Sequence, residues 1–274
     1  MEREDPEALK PILPMRIVLT VPGMDRAAVQ KGLVYKTDGG AELRMDVYTP
    51  PDRKAGEALP AVFFVHGGPI PPNLRTEPTD WGIFVSHGQL AAASGFVGVT
   101  FNHRLHGMDQ YGTAASDVED AIRHVRENAE ALGVDADRIA VWVFSGGGPL
   151  LASFLADPPP FVRGFVSYYG LLDFEDEALK RFSPVESLRA REDGNVPPVF
   201  VARVAIDNPA INRSVGLFVQ EAFAKNVPLT VLTHPTGRHG FDAMDDDERS
   251  REILRATVGF LSERFAGGPG VAIG

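Results

Sequence analysis

The sequence predicts an α/β fold: a mostly parallel central sheet with an N-terminal antiparallel hairpin, helices on both faces and no large cap domain. Three observations carry this. Short, wholly apolar runs recur from residue 60 onward, as strands covered on both faces require. Stretches of helical period separate those runs. Ahead of residue 60 the pattern is a simple alternation across a tight turn.

The hairpin comes first. Leu33–Thr37 leads into Asp38-Gly39-Gly40, and Leu43–Tyr48 then alternates apolar and polar residues. Alternation marks half-buried antiparallel strands, and Asp-Gly-Gly supplies the backbone freedom that a two-residue turn needs. The parallel strands follow at Ala61–Val65, Val97–Phe101, Ile139–Phe144, Gly164–Tyr168, Val199–Ala205 and Leu229–Thr233. Helices are predicted between and after them at 82–93, 113–131, 148–156, 214–225 and 247–265. The second is the clearest. Val118, Ala121, Ile122, Val125 and Ala129 form its apolar stripe, Asp117, Glu119, Asp120, Arg123 and Arg126 are expected to face water, and Gly133 closes it.

Residues 1–28, rich in proline and charge, read as an extension lying over the surface. Residues 29–265 read as one domain, and the glycine-rich 266–274 as a flexible tail. The segment 157–198, with Pro158-Pro159-Pro160 and an irregular acidic stretch at 173–191, reads as a small excursion over one end of the sheet.

Composition narrows the function. The chain has 274 residues, 44% of them hydrophobic, which is ample for a buried core. It contains no cysteine, so disulfides, thiolate nucleophiles and thiolate metal sites are excluded. Its net charge is −10 and its basic residues are scattered, which argues against a nucleic-acid partner. No apolar run is long enough for a membrane span or a signal peptide, so a cytoplasmic protein without a membrane partner is expected. The sequence leaves a homo-oligomer open.

Ligands of open α/β sheets bind beyond the carboxyl ends of the strands, and three such places carry chemistry. The apolar run Val141–Phe144 ends in Ser145-Gly146-Gly147-Gly148, where small residues let the chain reverse and expose the hydroxyl. Val143 stands where the G-x-S-x-G pattern has its first glycine. His66-Gly67-Gly68-Pro69 follows the first parallel strand. Its Gly68 N–H, with that of Gly146, is positioned to hold an oxyanion, whereas Pro69 has no N–H to offer. His66 reads as a structural residue bonded to neighbouring backbone. Finally, Asp207 ends one strand and His239 follows the next. A serine hydroxyl needs an imidazole to take its proton and a carboxylate to orient that imidazole, and the chain order Ser145, Asp207, His239 suits this fold.

On these motifs, together with Asp46-Val47-Tyr48 and Gly237-Arg238-His239-Gly240-Phe241, the chain resembles the α/β-hydrolase fold esterases of the dienelactone-hydrolase and feruloyl-esterase-like group over residues 25 to 265. The resemblance implies a serine esterase acting on a small-molecule ester, with Ser145, Asp207 and His239 as triad, Gly68 and Gly146 as oxyanion donors, and neither cofactor nor metal. Asp173 is the alternative acid. His103, Arg104 and His106 form a polar loop on the active face and are candidates for substrate contact rather than, with Asp109, metal ligands. Asp245-Asp246-Asp247-Glu248 reads as the acidic start of the last helix, not a calcium loop. Trp81, Phe84, Tyr111, Phe174 and Phe241 are expected near the mouth. Two other functions stay in view: a serine peptidase of proline-iminopeptidase or prolyl-oligopeptidase type, and a non-catalytic binding protein of the same fold.

Overall fold

The structure, a computed structural model, describes residues 10–266. Its strands are β1 (Ala28–Asp38), β2 (Ala41–Thr49), β3 (Leu59–Val65), β4 (Val97–Phe101), β5 (Val134–Phe144), β6 (Val162–Tyr168), β7 (Val199–Ile206) and β8 (Leu229–Arg238). They form one sheet in the order β1-β2-β4-β3-β5-β6-β7-β8. β1, β2 and β4 pair antiparallel, and every pair from β4 through β3 to β8 is parallel. This is the mostly parallel sheet with an N-terminal antiparallel hairpin that the strand pattern predicts. From β3 the chain first moves to one side to make β4, then crosses back to make β5 on the other. That reversal opens a crevice at the carboxyl ends of β3 and β5.

Alternation along the strands divides the core in two. In β5, Ile139, Val141 and Val143 point to one face, and Ala140, Trp142 and Phe144 to the other. On the first face lie α2 (Tyr111–Glu127), α3 (Ala129–Leu132), α4 (Ala152–Ala156), α5 (Pro184–Arg189) and α6 (Pro209–Ala224). On the second lie α1 (Gly82–Ala93) and the last helix, Glu248–Ala266. Residues 15–24 also join this second face. Ile17, Leu19 and Met24 are buried there, so the segment read as a surface covering contributes to the core.

Several boundaries differ from the sequence reading, each for a local reason. α6 begins at Pro209 rather than 214, because Asn208 caps it by accepting the Ala210 N–H at 2.9 Å and Pro209 suits the first turn. β8 runs through Pro235 to Arg238, which an edge strand tolerates. The helix expected at 113–131 breaks at Asn128, and Gly133 does close its second piece, at φ +68°. Within α2 the apolar stripe from Val118 to Val125 is buried as expected, while Ala129 falls in α3 and is half-buried, and Asp117 is not exposed. It is fully buried between Lys36 and Arg104, each at 2.7 Å, and these cations hold its carboxyl below the usual carboxylate range against the opposing effect of burial. The acidic stretch 173–191 contains ordered turns, a 3-10 helix at Glu177–Phe182 capped by Asp176 and α5 capped by Ser183. Beyond Ala266 the expected tail lies outside the described residues.

Candidate active site

The turn that carries Ser145 forms where β5 passes β3. Val65 pairs with Val143, so His66-Gly67-Gly68 and Ser145-Gly146 leave the sheet side by side. Ser145 has φ +51°, a left-handed conformation uncommon outside glycine and frequent where function demands a strained turn. Val143 lies fully buried two residues earlier, its side chain in the helix-side core, and the turn forms without a glycine there. The glycines after Ser145 are needed for close packing of backbones. A Cβ on Gly146 would overlap the carbonyl of Gly68, one on Gly147 would sit 2.6 Å from that of His66, and one on Gly148 would overlap that of Leu171. The segment Ser145–Leu151 forms a tight 3-10 helix before α4, where the sequence reading places an α-helix from 148. The turn is tied down further by Leu171 N–H donating to Ser145 O at 2.9 Å and the Tyr111 hydroxyl donating to Gly146 O at 3.0 Å.

Asp207 and His239 are brought together by register. β7 and β8 pair as far as Ile206 and Arg238, so the next residue of each strand, Asp207 and His239, emerge together. His239 Nδ1 lies 2.9 and 3.0 Å from the two Asp207 oxygens, and Nε2 lies 2.8 Å from Ser145 Oγ. A carboxylate only accepts, so Nδ1 carries a proton toward Asp207, and in the neutral ring Nε2 then accepts from the serine hydroxyl. The Asp207 side chain is 3% exposed and that of His239 is 39% exposed. The imidazole is thus open to a ligand while its carboxylate partner is shielded. Arg238 braces the loop, giving Asp245 its backbone N–H at 2.7 Å and its Nε–H at 2.6 Å. Asp173, the alternative acid, accepts from Ser183 Oγ at 2.6 Å and faces Lys180, making no hydrogen bond with His239.

A cleft of about 180 Å³ opens onto Ser145 and His239 between Gly67-Gly68-Pro69 and residues 240–244. Trp81 and Phe84 line it, while Tyr111, Phe174 and Phe241 are buried in the core. No Asp, Glu, Lys or Arg lies on its described walls. His103, Arg104 and His106 are not in it. They line a separate hollow on the other side of Ile70. There His103 stacks on His66 with ring centres 3.5 Å apart, and Arg104 pairs with Asp117 and Asp38. His106 bonds Ile70 O through Nδ1 at 3.0 Å. His66 itself is buried and bonds Gly67 O at 2.7 Å, a structural arrangement. Among the described residues no group of three or more His, Cys, Asp or Glu side chains is arranged to hold a metal ion, and the acidic run begins the last helix, with Asp247 accepting the Ser250 N–H at 2.8 Å. No described helix is long and apolar enough to cross a membrane.

Three features of the site are absent from the sequence reading. Tyr169, just past β6, lies against His239 with φ +40° and gives its hydroxyl to Asp242 Oδ1 at 2.8 Å. Asp242 also pairs with His87 Nε2 at 2.8 Å. Ile12, Met15 and Met244 also line the cleft. Tyr169 could have been found by the strand-end rule that located Ser145, Asp207 and His239. The others depend on contacts between segments far apart in the chain, for which the sequence holds no local signal.

The BD-FAE family model matches residues 45–157. Among curated proteins, para-nitrobenzyl esterase of Bacillus subtilis is 24% identical over 261 residues, covering 80% of this chain and 52% of the relative. Esterase LipQ of Mycobacterium tuberculosis is 27% identical over 278 residues, covering 88% of this chain and 64% of the relative. The chain thus spans less than two thirds of the length of either. Among solved structures, esterase 2 of Thermogutta terrifontis with propionate bound superposes with a TM-score of 0.70 at 22% identity, over 90% of this chain and 98% of that one.

Proposed function

We propose that this chain, an α/β-hydrolase by fold, is a serine esterase that cleaves carboxylic esters through an acyl-enzyme. The observation that carries the reading is His239, which reaches Ser145 Oγ through one ring nitrogen and Asp207 through the other. The esterase names of similar proteins add independent support.

In the proposed cycle Ser145 Oγ attacks the ester carbonyl while His239 Nε2 takes its proton. Asp207 keeps the tautomer that leaves Nε2 free and stabilises the imidazolium that forms. The oxyanion is held by the N–H groups of Gly68 and Gly146, two residues whose backbones are in close contact beside Ser145. Gly146 sits in the first turn of its helix, where N–H groups have no intrahelical acceptor. His239 then gives its proton to the leaving alcohol, and water deprotonated by the same ring releases the acid. None of these steps calls for a cofactor.

The rival readings draw less support. A peptidase acting on a free N-terminus needs a carboxylate near the nucleophile, and the described walls of the cleft carry none. A non-catalytic protein would be favoured by crowding at Val143, yet that side chain is accommodated in the core.

The test is hydrolysis of p-nitrophenyl butyrate by the wild type and Ser145→Ala. Turnover in the first that falls at least about a thousandfold in the second supports a serine esterase. Turnover that survives the substitution removes Ser145 as nucleophile.

A further inference from the structure

Apart from Ser145, Tyr169, His239 and the glycine backbone beside them, the described residues lining the cleft are apolar, and part of the lining is built by the N-terminal segment. Ile12 and Met15 face the cleft together with Trp81, Ile83, Phe84 and Met244. The segment is fastened in place. Gly82 N–H donates to Leu13 O at 2.7 Å, and Ile17 N–H to Ser86 Oγ at 3.0 Å. Val18 N–H donates to Asp242 O at 2.7 Å, joining the segment to the loop that carries His239. Gly82 has to be glycine, since a Cβ there would overlap the carbonyl of Pro14. Ile17 and Leu19, just beyond Met15, are buried in the core. Ile12 and Met15 therefore act as a fixed wall of the cleft.

We propose that this wall makes the enzyme selective for esters whose group in the cleft is an uncharged hydrocarbon of several carbons. The inference rests on the serine-esterase reading above and specifies its substrate class. Each methylene that enters the cleft leaves water for an apolar surface, which favours binding. A carboxylate or ammonium in the same place would lose its hydration with no counter-charge on the described walls. Met15 and Met244 have unbranched, adaptable side chains that can close on chains of different shape.

The experiment measures kcat/KM on p-nitrophenyl acetate, p-nitrophenyl hexanoate and the mono-p-nitrophenyl ester of succinic acid. Ethyl and hexyl acetate form a second arm, so that acyl and alcohol occupancy are told apart. The proteins are the wild type, Ser145→Ala, Met15→Glu and Met244→Glu, the last at an exposed position that accepts a charge without refolding the core. The wild type is expected to prefer hexanoate to both acetate and the succinate ester, or hexyl to ethyl acetate, by about tenfold or more. Each glutamate variant is expected to lower the long-to-short ratio by about tenfold, chiefly through KM. No chain-length preference in either arm overturns the proposal, as do equal rates on hexanoate and the succinate ester when the chain-length preference lies in the acyl arm. So does a ratio unchanged in both glutamate variants. Hydrolysis that survives Ser145→Ala, or no hydrolysis of any ester, defeats the serine-esterase reading and the proposal with it. Hydrolysis that depends on Ser145 but ignores chain length and charge defeats the proposal alone.

Discussion

The ring of Tyr169 lies 4.6 Å from that of His239, centre to centre and tilted by 54°, while its hydroxyl is anchored on Asp242 at 2.8 Å. Tyr169 holds φ +40°, costly for a residue with a side chain, so the surrounding structure keeps it there. Its phenol is buried, and the neighbouring Asp242 carboxylate adds to burial in raising its pKa well above the ordinary value. It therefore stays protonated and remains a donor to Asp242.

Tyr169→Phe is expected to keep the ring beside His239 and lose the bond to Asp242. Removing one partner of a buried carboxylate costs about 1–3 kcal/mol, readable as a lower denaturant midpoint, with only a small fall in kcat. Tyr169→Ala also removes the ring that borders His239, and is expected to lower kcat much further than the phenylalanine variant. Equal kcat in the two variants would mean that the ring does not position His239.

The acid can be identified by comparing two aspartates. Asp207→Asn presents His239 with an amide whose N–H₂ competes for the wrong tautomer, and is expected to lower kcat by about 10⁴ with little loss of stability. Asp173→Asn is expected to leave kcat within a factor of a few, because Asp173 is engaged with Ser183 and Lys180. A reversed pattern in ester hydrolysis would move the acid to Asp173.

Val143→Gly restores the glycine of the usual elbow pattern, and is expected to gain nothing. Val143 is fully buried and its turn already forms. The substitution empties a core site and places glycine in a central strand, at a cost of about 2–4 kcal/mol. Thermal unfolding checks the loss. A rise in kcat would show that Val143 does crowd the turn.

These variants also mark how much of the site is legible in the chain itself. The meeting of Ser145, His239 and Asp207 is legible because short apolar runs fix the strand ends, and the parallel register then brings the residues just past those ends together. Gly146 and Gly68 are legible for the same reason, their backbones meeting where β3 and β5 lie side by side. His103, Arg104 and His106 obey the same rule and still miss the cleft, since the turn at 68–70 passes between them and Ser145. Position after a strand gives the correct face of the sheet but not the side of a loop. The burial of Asp117 escapes the helical-period argument because its partners, Lys36 and Arg104, come from other segments. The N-terminal wall is illegible for a related reason: nothing local in Ile12 or Met15 distinguishes a residue facing a cleft from one facing water.

Acid should weaken the fold through two stacked histidines. Burial, helped by the neighbouring His106, pushes His103 down to about 3, and burial together with His103 holds His66 well below its ordinary value. Both rings are therefore neutral in the folded chain at pH values where the unfolded chain, with histidine pKa near about 6.5, has protonated them. The unfolded state then binds more protons, so stability is complete above about pH 6.5 and falls as the pH drops toward the folded-state values. Each histidine adds a slope of up to about 1.4 kcal/mol per pH unit. The Asp117 carboxyl, held below the usual carboxylate range by Lys36 and Arg104, contributes at lower pH, so the decline from these histidines is read between about pH 6.5 and 4.5. Denaturant unfolding at about pH 7, 5.5 and 4.5 should show the decline, and His103→Asn should lower its slope by about one proton's worth relative to wild type. A wild-type stability constant across that window would mean that the stacked pair opens and takes up protons without unfolding the chain.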